Sequence, residues 1–232
     1  MRKRYFTLEE IKKKTEKKDG SFFARYLARP ISNRITLAIY QTNINPTTIS
    51  IFGSAIGIIG GLFFLLNVYW ATVLAGILVF LSFVFDCVDG EIARINERCT
   101  KTGALLDEYS DRMVDVVVIL CLGLVNYWIY GFYWIWIITF FAIVGDLTMV
   151  NIGLKIDSMR EKKSVVNFYS KPLWRRALQY GGDANALIIL IFSLLNQTIY
   201  ALLLIAVLTN VFSLGRFVYQ YLKFEKEEKG WE

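Results

Sequence analysis

The sequence predicts an all-α, polytopic membrane protein in which six transmembrane helices follow an amphipathic helix lying in the membrane interface. Three observations predict it. Of 232 residues, 55% are hydrophobic and 16% aromatic, with a mean hydropathy of +0.43, more apolar than a soluble domain of this length sustains. Apolar runs of membrane-spanning length recur, at roughly 46–67, 70–90, 104–126, 132–154, 177–196 and 198–219. Lys and Arg, finally, gather in alternate connections only.

Residues 1–44 form a basic cytoplasmic and interfacial segment, residues 45–222 the six-helix domain, and residues 223–232 a charged tail. Within the first segment, Phe22 to Tyr40 alternates apolar and basic residues at helical spacing around Pro30, the pattern of a helix lying in the interface plane. The first forty residues are too charged for a cleavable signal, so the first span is expected to be retained. Gly53, Gly57, Gly60 and Gly61 give that span overlapping small-residue repeats suited to close helix packing. Basic residues precede the first span, flank the second loop (Arg94, Arg98, Lys101), crowd the fourth and follow the last. The connections near 67–70, 126–133 and 195–199 contain neither Lys nor Arg, and Tyr and Trp cluster there instead. Both termini are therefore expected in the cytoplasm, with the protein integral to the cell membrane. The net charge of +6 then reads as a surface meeting anionic lipid, with no nucleic-acid partner.

The chain has no histidine, which excludes His-based acid/base catalysis, His metal ligation and a Ser/His/Asp triad. Cys87, Cys99 and Cys121 lack metal-ligand spacing and read as small apolar fillers. Chemistry falls to carboxylates, and four of them, Asp86, Asp89, Asp107 and Asp111, stand in otherwise apolar helices. An ionised side chain in hydrocarbon costs at least ~2.5–3.5 kcal/mol, so the group needs a cation. Asp86, Asp89, Gly90 and Ala93 fall on one helix face; Gly103, Asp107 and Asp111 form a stripe on the next. Counting from the short turn between these antiparallel spans, Asp86 matches Asp111 in depth and Asp89 matches Asp107. Converging carboxylates of this kind suit two hard divalent cations, such as Mg²⁺ or Mn²⁺. Arg94 is a candidate phosphate partner, and metals with Arg and no His point to phosphoryl transfer.

The pattern from Asp86 to Arg94, continued through Gly103, Asp107 and Asp111, resembles the signature of the CDP-alcohol phosphotransferases at all eight fixed positions. Residues 44–50, Ile-Asn-Pro-Thr-Thr-Ile-Ser, resemble that family's approach to the first span, with Thr47 where Asn is common and Ser50 where Thr is common. The resemblance implies transfer of a substituted phosphate from a CDP-alcohol, a CDP-diacylglycerol or archaeal CDP-ether lipid, to an acceptor hydroxyl with release of CMP, as in phospholipid biosynthesis. It implies metal ligation by Asp86, Asp89, Asp107 and Asp111, with Asp111 also the general base. It implies further that Gly90, Ala93, Arg94 and Gly103, with Pro46 and Ser50, bind the CDP-alcohol, and that the protein is a homodimer.

Asp19-Gly20, Arg25 to Leu27 and Arg29 to Ser32 resemble members related to archaeal di-inositol-phosphate synthases, although Gly182-Asp183 stands where those members carry Arg-Asp. Synthesis of a di-inositol phosphate from CDP-inositol is accordingly the alternative. Arg160, Arg175 and Arg216, with Lys171 and Arg176, are candidates for an anionic-acceptor pocket, though basic cytoplasmic loops supply such residues anyway. Asp115 is placed to pair with Arg112, and Asp146 to face the cavity or pair with Lys155. A small cation-coupled transporter is the rival class, because buried acids also line ion pathways.

Overall fold

Asn45 and Pro46 start the first long helix: the Asn45 side chain accepts the Thr47 N–H at 3.2 Å, and Pro46 occupies the first turn, where its missing N–H costs nothing. The computed structural model describes residues 7–15, 23–42, 44–160 and 182–229. In chain order these form α1 (Leu8–Thr15), a wide turn over Ala24–Ala28, α2 (Arg29–Ile39), α3 (Pro46–Phe63), α4 (Tyr69–Ile95), α5 (Lys101–Tyr130), α6 (Trp134–Arg160), α7 (Gly182–Leu194) and α8 (Thr198–Glu228). The wide turn sits just before Pro30, and the Arg29 N–H reaches back five residues to the Ala24 carbonyl. A ring without an N–H, clashing with the preceding turn, is relieved by such widening.

Among the described residues, five helices are long and apolar enough to cross a membrane: Pro46–Leu66, Tyr69–Ile95, Lys101–Tyr130, Trp134–Gly153 and Thr198–Lys226. Of the span expected over 177–196, the described residues hold the apolar helix α7, Gly182–Leu194; residues 177–181 lie outside them. The apolar run behind that expectation begins only after Gly182 and Asp183. Left-handed residues close the connections: Asn67 after α3, Glu97 between α4 and α5, Gly131 after α5 and Asn196 after α7.

A helix stands where the interfacial one was expected, α2, and it turns both kinds of residue inward: Ile35, Leu37 and Ile39 pack on the cluster around Ile49 and Ile92, beside buried polar residues. Tyr26, Leu27 and Ile31 point outward, whereas Ser32, Asn33 and Thr36 are buried. The outward set suits lipid. The buried set turns toward α4, against which α2 packs. The preceding α1 was not foreseen; it buries Ile11 in a cluster with Ile49, Val88, Ile92 and Ile95, and Lys14 Nζ donates to the Ile95 carbonyl at 3.1 Å.

Helix α3 is the central wedge, packing against both α4 and α5. Its glycines permit this: a Cβ on Gly53 would lie 2.8 Å from Phe85 Cβ, one on Gly57 2.5 Å from Ser82 Oγ and 2.6 Å from Val114 Cγ1, and one on Gly60 2.9 Å from Leu78 Cβ. The close helix approach that these glycines allow supplies the van der Waals contact that drives association where lipid removes the hydrophobic incentive. Helices α6 and α8 form a second close pair, and α7 packs on α4 and α8. A larger apolar cluster, including Val79, Val114, Val118, Leu122, Ile189 and Leu202, joins these elements.

Candidate active site

Helices α4 and α5 are joined by the short turn the sequence predicts, yet they diverge around α3 instead of packing side by side. The space between them is a cavity of about 370 Å³. Asp86 and Asp89 enter it from α4, Asp107 and Asp111 from α5, and Asp183 and Asn185 from α7. Val79, Val114, Val118 and Ile189, also lining it, belong to the larger apolar cluster. Matched depth therefore sets the acids opposite one another across a gap.

Carboxylate oxygens of Asp86, Asp89 and Asp107 all lie within 4.8 Å of one another. Asp111 lines the same cavity one turn further along α5 and stands outside that trio. Asp89, 3% exposed, accepts a hydrogen bond from the Ser50 hydroxyl of α3. Ser50 thus meets the site through Asp89, while Pro46 is buried in the first turn of the same helix. An all-oxygen, three-carboxylate donor set fits a hard divalent cation.

Gly90 and Arg94 line the cavity beside the trio. The Arg94 guanidinium folds over Gly90, where a Cβ would come within 3.1 Å of Nη1. Ala93 and Gly103 are half-buried and do not line this cavity. Gly103 sits in the first turn of α5, its N–H donating to the Thr100 hydroxyl at 3.0 Å in an N-cap. Arg216 is exposed on α8 against Gly153 of α6, away from the cavity lining. Arg175, Lys171 and Arg176 lie outside the described residues, as does the side chain of Arg160 at the end of α6.

Of the further polar groups here, Glu91 and Asn185 were not singled out in the sequence. Glu91 is 1% exposed and accepts hydrogen bonds from Ser32 and Thr36 of α2, each at 2.6 Å. Arg29 and Ala24, from the segment leading into α2, line the cavity on that side. Arg112 bridges Asp115 at 2.7 Å and Asp146 of α6 at 3.1 Å, and Asn185 of α7 donates to Asp146 at 2.9 Å. The expected pairing of Asp115 with Arg112 is therefore present, and Asp146 joins it.

The CDP-alcohol phosphatidyltransferase family matches residues 43–214. The chain belongs to this family. Over 97 residues it is 37% identical to the bifunctional IPC transferase and DIPP synthase of Thermococcus kodakarensis, covering 42% of this chain and 21% of that protein. Over 106 residues it is 35% identical to the protein of the same name from Archaeoglobus fulgidus, covering 46% and 20%. Over 90 residues it is 34% identical to the phosphatidylinositol phosphate synthase of Mycobacteroides abscessus, covering 38% and 39%. The chain thus spans less than half the length of these relatives.

In fold it is similar to the phosphatidylinositol phosphate synthase of Mycobacterium tuberculosis solved with CDP-DAG bound, with a TM-score of 0.59 and 18% identity over 82% of this chain and 92% of that one. The same protein in complex with manganese and citrate gives a TM-score of 0.54. The cavity of this CDP-alcohol phosphatidyltransferase family member is the place where Asp86, Asp89, Gly90 and Arg94 of α4 meet Asp107 and Asp111 of α5.

Proposed function

We propose that this chain transfers a substituted phosphate from a CDP-alcohol to an acceptor hydroxyl and releases CMP. The observation that carries the reading is the convergence of Asp86, Asp89 and Asp107 in a cavity that also holds Asp111, Gly90 and Arg94, within a family match covering these residues. Asp86, Asp89 and Asp107, with Asp111 beside them, would hold two divalent cations, Mg²⁺ or Mn²⁺, whose chemistry is to neutralise phosphate charge and orient the diphosphate. Ser50 fixes one oxygen of Asp89, so the ligand is oriented before substrate arrives. Asp111, outside the close trio, keeps a carboxylate for the acceptor and takes its hydroxyl proton as the new oxygen–phosphorus bond forms and the bond to CMP breaks. Arg94 and Gly90, which line the cavity, would form the CDP side.

The donor is a CDP-diacylglycerol or CDP-ether lipid, and the reaction belongs to phospholipid biosynthesis. A phosphorylated acceptor fits the name of the Mycobacteroides abscessus relative, with Arg160 and Arg175 as candidate basic contacts; Arg216, away from the cavity lining, is not among them. CDP-inositol-dependent synthesis of a di-inositol phosphate is the second reading, supported by the names of the two archaeal relatives. The working unit is a homodimer in the cell membrane with its site facing the cytoplasm. The deciding measurement is CMP release by purified protein with Mg²⁺ or Mn²⁺, from CDP-diacylglycerol or CDP-inositol, against serine, glycerol phosphate, inositol phosphate and inositol. Release with one pair is expected; ion flux without CMP release from any pair would overturn the reading in favour of a transporter.

A further inference from the structure

The cavity has a wall that does not come from the membrane spans. Ala24 and Arg29, carried by the interfacial segment before α3, line it together with Gly90, Glu91 and Arg94 of α4. That segment is locked to α4 by buried polar contacts. Both oxygens of Glu91 accept hydroxyl hydrogen bonds, from Ser32 and Thr36, and all three residues are at most 1% exposed. Beside them, the Thr15 hydroxyl donates to Asn33 Oδ1 at 3.2 Å, and Lys14 Nζ caps the Ile95 carbonyl at the end of α4.

Such a clamp is an expensive way to dock one helix on another. Burying a carboxylate in a protein interior costs several kcal/mol unless its oxygens are satisfied, and an apolar face would hold α2 more simply. What the clamp adds is direction. Hydroxyls one helical turn apart, grasping the two oxygens of one carboxylate, fix both the rotation and the height of α2 against α4. Arg29 lies three residues before Ser32, on the adjoining turn, and its guanidinium is thereby delivered to the side of the cavity that Arg94 occupies. Glu91 lies within electrostatic reach of both arginines and holds the two like charges at one wall.

We propose that Arg29 is a ligand for a phosphate group of the substrate, with Glu91, Ser32 and Thr36 as the positioning residues that aim it. The proposal rests on the phosphoryl-transfer reading and extends it to a residue outside the matched family region, which begins at residue 43. The phosphate is the donor's diphosphate or an acceptor's phosphomonoester, both of which a guanidinium binds in the same way.

The test is steady-state CMP release by the full chain in lipid nanodiscs, with KM measured separately for CDP-diacylglycerol and for inositol phosphate. Arg29→Gln should raise one of the two KM values about tenfold or more, the size of a lost charge-assisted hydrogen bond, with a smaller change in kcat and an unchanged melting temperature. Arg29→Lys should recover much of the loss. A donor-side rise assigns the diphosphate, an acceptor-side rise the phosphomonoester. The pair Ser32→Ala with Thr36→Val should move the same KM as Arg29→Gln. Unchanged KM values in Arg29→Gln, or a lowered melting temperature as its sole effect, would overturn the proposal and leave Arg29 a structural counter-charge to Glu91. Should the wild type release no CMP from any donor, the proposed function fails, and calorimetry with inorganic phosphate decides Arg29 by itself. Binding that Arg29→Gln removes sustains the phosphate site; equal binding, or none in either protein, overturns it.

Discussion

Asp89 is nearly inaccessible and still has a donor, the Ser50 hydroxyl, committed to one of its oxygens. Removing that hydroxyl leaves the carboxylate in place but free to turn, so Ser50→Ala is expected to lower CMP release roughly tenfold, in line with the loss of an outer-shell contact to a metal ligand. Asp111→Asn acts differently: an amide cannot take the acceptor proton, and turnover should disappear while CDP-alcohol binding persists. Activity near wild type in Asp111→Asn would remove that residue from the base role. Fixed spacing made these acids legible in the sequence, since two helices with known periodicity place them without further information. Glu91, Arg29 and Asn185 were not legible, because what gives each its meaning comes from a distant segment: Ser32 and Thr36 for Glu91, Asp146 for Asn185, the cavity wall for Arg29.

At the scale of helices, α3 holds the two that carry the acids. Its small residues let it pack closely on both α4 and α5, which line the cavity. Gly57→Ala would push a methyl group into Ser82 and Val114 at once. Overpacking of this kind typically costs about 1–3 kcal/mol, so a lower melting temperature in detergent is expected, with CMP release falling alongside because Ser50 rides on the same helix. An unshifted melting temperature would show that α4 and α5 yield without cost. The glycine repeat indicated close packing in advance, but not that one helix would use it against two neighbours. The buried polar residues of α2 were likewise hidden: its apolar and basic residues announced an interfacial helix, while Ser32 and Thr36 looked like ordinary polar positions until Glu91 was seen beneath them.

For the molecule as a whole, the concentration of acids in one cavity makes a dependence on divalent cations the first global expectation. Dialysis against EDTA should abolish CMP release, and Mg²⁺ or Mn²⁺ should restore it; activity persisting after exhaustive chelation would contradict the assignment of Asp86, Asp89 and Asp107. The orientation inferred from Lys and Arg can be read with a native probe. Cys99 is exposed in the turn between α4 and α5, whereas Cys121 is buried and Cys87 half-buried. A membrane-impermeant maleimide should label Cys99 in inverted vesicles and not in right-side-out ones, with Cys99→Ser as the control. Labelling in the opposite preparation would turn the site to the outside.

The connection that carries Cys99 also sets where this chain tolerates a change in length. Glu97 turns the backbone with a φ of 54°, and Thr100 restarts it by capping α5. Between Arg94 and that cap nothing but the turn intervenes, so an added residue there would widen a loop. Between Thr100 and Asp107 lie two helical turns, and one residue inserted in them would swing Asp107 and Asp111 by about 100° away from Asp86 and Asp89. A peptide tag or fluorophore site belongs on the first side of Thr100, and a single added codon on the other side is enough to dismantle the centre.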